Sequence, residues 1–217
     1  MSKILSTICV SLLLASTTYA GVIGNWESGY DGWGNWVSSA VAAPTNFTVP
    51  NTIGVTLGSS SLAIAQPGWG QALALDLTYA QRVDLAANNT FSFDFSVAAG
   101  TGGGEPKIEG VTLNAEGFGY TALTITNNTA SPTHNYFDLW VGSPARTMTV
   151  TGSYNPALFG SGSGPGIPGY AQIIITLNGN GAAQSPQFYM DNAKLTPDPA
   201  TMALLGLGGL ALIRRKR

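Results

Sequence analysis

Few side chains in this 217-residue chain are equipped for chemistry. His134 is the only histidine, set in the turn-forming run Pro132-Thr133-His134-Asn135. A hydrolytic triad would have to use it, yet no G-x-S-x-G elbow is present, and a surface histidine is the better reading. No cluster of His and Cys exists to hold zinc. Glycoside hydrolysis needs two opposed carboxyl groups, for which Glu105, Glu109 and Glu116 are the candidates. They lie in or beside a loop with no alternating acids along a strand, and read as solvated. Gly164 to Gly169 matches G-x-G-x-x-G, and Gly117 to Ala122 matches its variant. A phosphate cradle needs a helix after the glycines, and both runs lead into β-type sequence.

Aromatic residues are better placed. In Tyr136-Phe137-Asp138-Leu139-Trp140-Val141 the apolar set Phe137, Leu139 and Val141 would face a core. Tyr136, Asp138 and Trp140 then share the opposite face. An aromatic plane beside a carboxylate suits a sugar, whose C–H face stacks while its hydroxyls bond the acid. Trp69, on the turn Gly68-Trp69-Gly70, is a second candidate. The competing reading is that a loop covers Trp140 and that Trp69 packs at the end of a sandwich, because large aromatics are mostly buried.

The elements that must position these residues read as β almost throughout. Leu73, Leu75, Leu77 and Tyr79 alternate with Ala72, Ala74, Asp76 and Thr78; Phe91, Phe93, Phe95 and Val97 alternate with Ser92, Asp94 and Ser96. Such alternation puts one face in a core and the other toward solvent. Further strands are expected at residues 52–57, 61–65, 108–113, 121–126, 136–141, 146–151, 170–177 and 187–195. Residues 154–169 form a long loop rich in glycine and proline. About ten short strands with polar turns and no intervening helix predict an all-β, two-sheet sandwich of jelly-roll type.

Both ends differ from this body. Lys3, the apolar run Ile4 to Ala15, and Thr18-Tyr19-Ala20 form the charged, apolar and small-residue regions of a signal peptide over residues 1–20, with Gly21 starting the mature chain. The sandwich domain spans residues 21–195. Residues 196–217 hold a rigid Pro197-Asp198-Pro199 turn, an apolar run from Ala200 to Ile213, and Arg214-Arg215-Lys216-Arg217. The apolar run predicts a short hydrophobic helix without a polar face. Its 14 residues reach about 21 Å as a helix, against a hydrocarbon core of roughly 30 Å. That length suits a segment held briefly in the membrane and then processed, the basic end staying on the cytoplasmic side. An ordinary C-terminal membrane helix is the alternative.

The chain has nine basic and eleven acidic residues; five of the former and one of the latter lie in the two ends. The body therefore carries four basic and ten acidic residues, a charge of −6, which argues against a nucleic-acid partner. Cys9, the only cysteine, lies in the signal peptide, so the body has no disulfide.

The three-part tail resembles the PEP-CTERM sorting signal, with Asp198 where that family usually has Glu. The resemblance implies an exosortase-type processing enzyme as partner, a transient membrane anchor, and delivery to the cell surface or extracellular matrix. The body carries a second resemblance. Asn25-Trp26-Glu27-Ser28-Gly29 with Gly32-Trp33, and the closing Phe188-Tyr189-Met190-Asp191-Asn192-Ala193-Lys194-Leu195, are similar to the opening and closing motifs of jelly-roll carbohydrate-binding modules. That implies a non-catalytic, polysaccharide-binding body. It also implies a structural calcium ion, Ca2+, between Glu27 and Asp191, with backbone carbonyls completing the shell. Glu27 capping a turn and Asp191 pairing with a cation such as Lys194 is the alternative. A structural matrix protein without a small ligand is the second functional reading, and a glycosidase-like enzyme the third.

Overall fold

The computed structural model describes residues 21–65, 71–97, 107–127, 137–138, 146–178 and 188–197. Its strands are β1 (Gly21–Gly24), β2 (Trp33–Val37), β3 (Ala40–Ala42), β4 (Phe47–Asn51), β5 (Ser61–Ile64), β6 (Gln71–Asp76), β7 (Thr90–Val97), β8 (Lys107–Ala115), β9 (Gly119–Ala122), β10 (Thr124–Asn127), β11 (Phe137–Asp138), β12 (Arg146–Ser153), β13 (Ala171–Asn178) and β14 (Phe188–Thr196). An α-helix, α1, spans Tyr79–Ala87, and a single 3-10 turn spans Pro156–Leu158.

Sheet A runs β10-β12-β7-β14-β5-β4, with β1 also on β14; sheet B runs β11-β8-β13-β6-β2-β3, with β9 also on β8. Eight of these strands, β5 to β9 and β12 to β14, can be counted one to eight in chain order. They then lie 1-8-3-6 in sheet A and 2-7-4-5 in sheet B, which is jelly-roll wiring. The strand pairs among the described residues are antiparallel, and successive side chains point to opposite faces of each sheet, as the alternating sequences require; β5 and the first half of β14 are buried on both faces.

A line of aromatic rings runs through the core. Trp26 packs on Trp33, Trp33 on Phe91, Phe91 on Phe93, Phe93 on Phe95 and Phe95 on Phe188, with centroids 5.2–6.5 Å apart. All six side chains are fully buried, and each contributes about 1.5–3 kcal/mol by leaving water. Leu73, Leu75, Ile173, Ile175, Leu177, Val111 and Leu113 face them from sheet B. The Trp33 indole donates to the Ile23 carbonyl at 3.0 Å, so this large ring is buried without stranding its polar atom.

Three expectations about elements fail. Residues 121–126, expected as one strand, are divided between β9 in sheet B and β10 in sheet A. The alternation read through Tyr79 stops at Asp76, and α1 follows. Thr78 caps it: its hydroxyl accepts from Gln81 N, and the Gln81 side chain accepts from Thr78 N, a reciprocal capping box. Residues 52–57, expected as a strand, belong to a loop instead. Gly54 and Gly58 take φ values of +72° and +75°, which only glycine adopts freely. The expected signal peptide, the hydrophobic C-terminal helix and everything after Pro197 lie outside the described residues. Among those described, no helix is long and apolar enough to cross a membrane.

Candidate functional site

The outer face of sheet B carries a polar row crossing three neighbouring strands. Leu113, Ile173 and Leu75 point into the core, so Asn114, Gln172 and Asp76, one position along in each strand, point out. The register sets Asn114 beside Gln172 and Gln172 beside Asp76. Asn114 Nδ2 donates to Gln172 Oε1 at 2.7 Å, and Gln172 Nε2 donates to Asp76 Oδ1 at 2.6 Å. The carboxylate accepts only, so it orients the Gln172 amide, which in turn orients Asn114. Each amide has two donor hydrogens and an acceptor oxygen with two lone pairs, so the relay uses only part of their capacity.

Two tyrosines flank this row. Tyr120 on β9 is paired in register with Asn114 and is 62% exposed. Tyr170, two residues before Gln172, is 52% exposed. The next row in from the amides is built of small or buried residues: Thr112, Ile174, Ala74 and Gly34. A Cβ added to Gly34 would come within 2.1 Å of the Ala42 carbonyl oxygen, so β3 approaches this row only because position 34 has no side chain. Together the face offers ring surfaces beside oriented hydrogen-bonding groups, next to a row in which Ile174 and Ala74 are fully buried.

Of the expected sugar-contacting residues, Asp138 alone lies among the described residues. Asp138 is the second residue of β11, opposite Lys107 on sheet B. Tyr136, Trp140 and Trp69 lie outside the described residues, as do His134 and Glu105. Glu109 is exposed. Glu116 is not merely solvated: its Oε2 accepts from Gly162 N at 2.9 Å and Gly169 N at 2.7 Å. Its own backbone oxygen accepts from Gly160 N at 2.7 Å. The long glycine-rich loop is thus folded around one carboxylate.

Glu27 and Asp191 converge on another loop, residues 52–60, which crosses the outer face of sheet A. Trp26, at φ +51°, turns its ring into the core, and Asp31 Oδ2 secures this turn by accepting from the Asn25 and Trp26 amides. Glu27 Oε1 then accepts from Ser59 N at 2.7 Å and Ser60 N at 2.8 Å, and Oε2 accepts from the Ser59 hydroxyl at 2.7 Å. These donors hold its carboxyl below the ordinary value, the Ser59 hydroxyl foremost. Asp191 is fully buried at the bulge where β14 changes partner from β5 to β1. Its Oδ2 accepts from Thr56 N at 2.6 Å and Leu57 N at 2.7 Å, and its Oδ1 from Asn192 N at 2.7 Å. As it stands, this donor set does not fit calcium: all four carboxylate oxygens face N–H or O–H hydrogens, which present positive charge where an ion would sit. Among the described residues, no three His, Cys, Asp or Glu side chains gather to hold a metal.

No family model matches the chain, and no curated protein does. Among solved structures, the chain is similar to the CBM22-1–GH10 modules of Clostridium thermocellum endo-1,4-beta-D-xylanase 10B, solved in complex with xylohexaose. The identity is 12% and the TM-score 0.49, over 83% of this chain and 28% of that longer one. It is also similar to the C-terminal family 22 module of the same xylanase, at 13% identity and TM-score 0.43 over 83% and 94% of the two chains. A third is the xylan-binding domain of Paenibacillus barcinonensis Xyn10C, at 12% identity and TM-score 0.41 over 83% and 95%.

Proposed function

We propose that this chain is an exported, non-catalytic, polysaccharide-binding protein that grips its ligand on the outer face of sheet B. One observation carries the reading: the Asn114–Gln172–Asp76 relay, held in register across three strands and flanked by exposed Tyr120 and Tyr170. Sugar rings stack on tyrosine faces while their hydroxyls exchange hydrogen bonds with oriented amides and a carboxylate. Glu116 is engaged by glycine amides, which supports binding over hydrolysis.

The proposal extends to the ends of the chain. Residues 1–20 direct export, and residues 196–217 act as a PEP-CTERM-type sorting segment that an exosortase-type enzyme removes at the cell envelope. The order of Pro197-Asp198-Pro199, apolar run and four basic residues supports this. Mass spectrometry of the exported protein tests it: a mature form retaining Ile213 to Arg217 would exclude processing.

The binding reading is tested by retention of the full chain on insoluble xylan, cellulose and mannan. Stacking on one ring is worth about 0.5–1.5 kcal/mol, so Tyr120→Ala and Tyr170→Ala should each weaken retention about two- to tenfold with the circular dichroism unchanged. Unchanged retention by the double variant would remove this face from consideration. Wild-type protein that no polysaccharide retains, but that self-associates, would favour the structural matrix reading.

A further inference from the structure

Glu27, near the start of the domain, and Asp191, in its last strand, hold one loop by its backbone. Four amides of residues 56–60, those of Thr56, Leu57, Ser59 and Ser60, point at the two carboxylates. We propose that this is a metal-free latch, in which the loop's own N–H groups supply the positive charge that a bound cation would bring. Three observations carry it. Calcium takes six to eight oxygens at about 2.3–2.6 Å, whereas these carboxylates meet nitrogen donors. The N–H···O distances of 2.6–2.8 Å are those of charge-assisted bonds. The loop also lies tight against its anchor: a Cβ on Gly58 would stand 2.4 Å from Glu27 Oε1, and one on Gly54 would stand 2.6 Å from the Tyr189 Cβ. An ion inserted between loop and carboxylate would have to lift the loop off the sheet. The latch closes the outer face of sheet A over the β7–β14 pair, and it does not depend on the polysaccharide reading.

Amide hydrogen exchange and thermal melting of the full chain test the latch, with calcium chloride alone and EDTA as the two metal conditions. In EDTA the Ser59 and Ser60 amides should be protected, that of Ser59 although the residue is exposed. Glu27→Ala should accelerate their exchange by about tenfold, the effect of losing one charge-assisted bond, while Thr56 and Leu57 stay protected by Asp191. The melting temperature should be the same in calcium and in EDTA. Asp191→Asn is the reciprocal variant, but Asp191 is fully buried and its replacement risks the fold; Glu27 is exposed, so its variant keeps the test decisive. Calcium raising the melting temperature of the wild type but not of Glu27→Ala would overturn the latch. Unprotected Ser59 and Ser60 amides in EDTA, or exchange unaltered by Glu27→Ala, would overturn it as well.

Discussion

Asp94 on β7 and Asp191 on β14 stand directly opposite each other across a strand pair. Like charges in that position repel unless donors intervene, and here they do. Thr56 Oγ1 reaches Asp94 Oδ2 at 2.7 Å and Asp191 Oδ2 at 3.3 Å. Thr149 Oγ1 and Asn192 Nδ2 donate to Asp94 at 2.6 and 3.0 Å. Thr56→Val keeps the shape and deletes the bridging hydroxyl. It should cost about 1 kcal/mol at neutral pH, measured by urea denaturation. A cost indistinguishable from zero would mean that the hydroxyl does not act on the two carboxylates.

The Glu27 carboxyl has its affinity for protons lowered by folding, from an ordinary value of 4.5. A carboxylate of this kind stabilises the fold above its unfolded value and loses that contribution as pH falls through its folded one. The melting temperature should therefore decline below about pH 4.5, and the decline should be shallower in Glu27→Gln. Equal slopes in the two proteins would show that this carboxylate is not linked to folding.

The aromatic line admits a stability test away from any charge. Phe93 touches both Phe91 and Phe95 and is almost wholly buried. Phe93→Ala should cost about 3–5 kcal/mol by loss of transfer energy and creation of a cavity. Chemical denaturation reads this directly, and a cost near 1 kcal/mol would mean that the two sheets collapse to refill the space.

Gln172 is half-buried and joins Asn114 to Asp76. Gln172→Leu severs both bonds while leaving the core side of β13 untouched. Polysaccharide retention should fall about tenfold, one or two hydrogen bonds' worth, with a small change in stability. Unchanged retention would leave the flanking tyrosines as the whole site.

Glu116→Ala removes the acceptor shared by Gly162 and Gly169. Limited proteolysis should then cut within residues 160–169 faster than in the wild type. A cutting rate like the wild type's would mean that the turn bonds from Ser161 to Ile167 suffice by themselves.

The two-sheet sandwich was legible because Leu73, Leu75, Phe91, Phe93 and Phe95 alternate with polar or small residues in runs long enough to fix a period. The helix was not, because its nine residues bury only Leu85 and so leave no apolar stripe. The signal present was local, the Thr78–Gln81 capping pair. Residues 52–57 read as a strand, but Gly54 and, just beyond, Gly58 mark a chain path that no ladder holds. The polar row was hidden for another reason. Asp76, Asn114 and Gln172 are 38 to 96 residues apart, and only the order of β6, β13 and β8 brings them together. The resemblance at the two ends of the domain singled out Glu27 and Asp191, and both do fasten distant parts of the chain, with amides as the partners seen.

The place of β14 also governs the order in which the molecule can assemble. It is the last strand described, yet it lies in the interior of sheet A, bonded to β7 along one edge and to β5 and then β1 along the other. A chain that emerges from its N-terminus first has already made β1, β5 and β7, but each of them waits for a neighbour that has not yet appeared. Gly21 finds its partner only when Leu195 arrives. Non-local closure of this kind slows folding. In the finished sheet the final strand sits as a keystone, with partners on both edges.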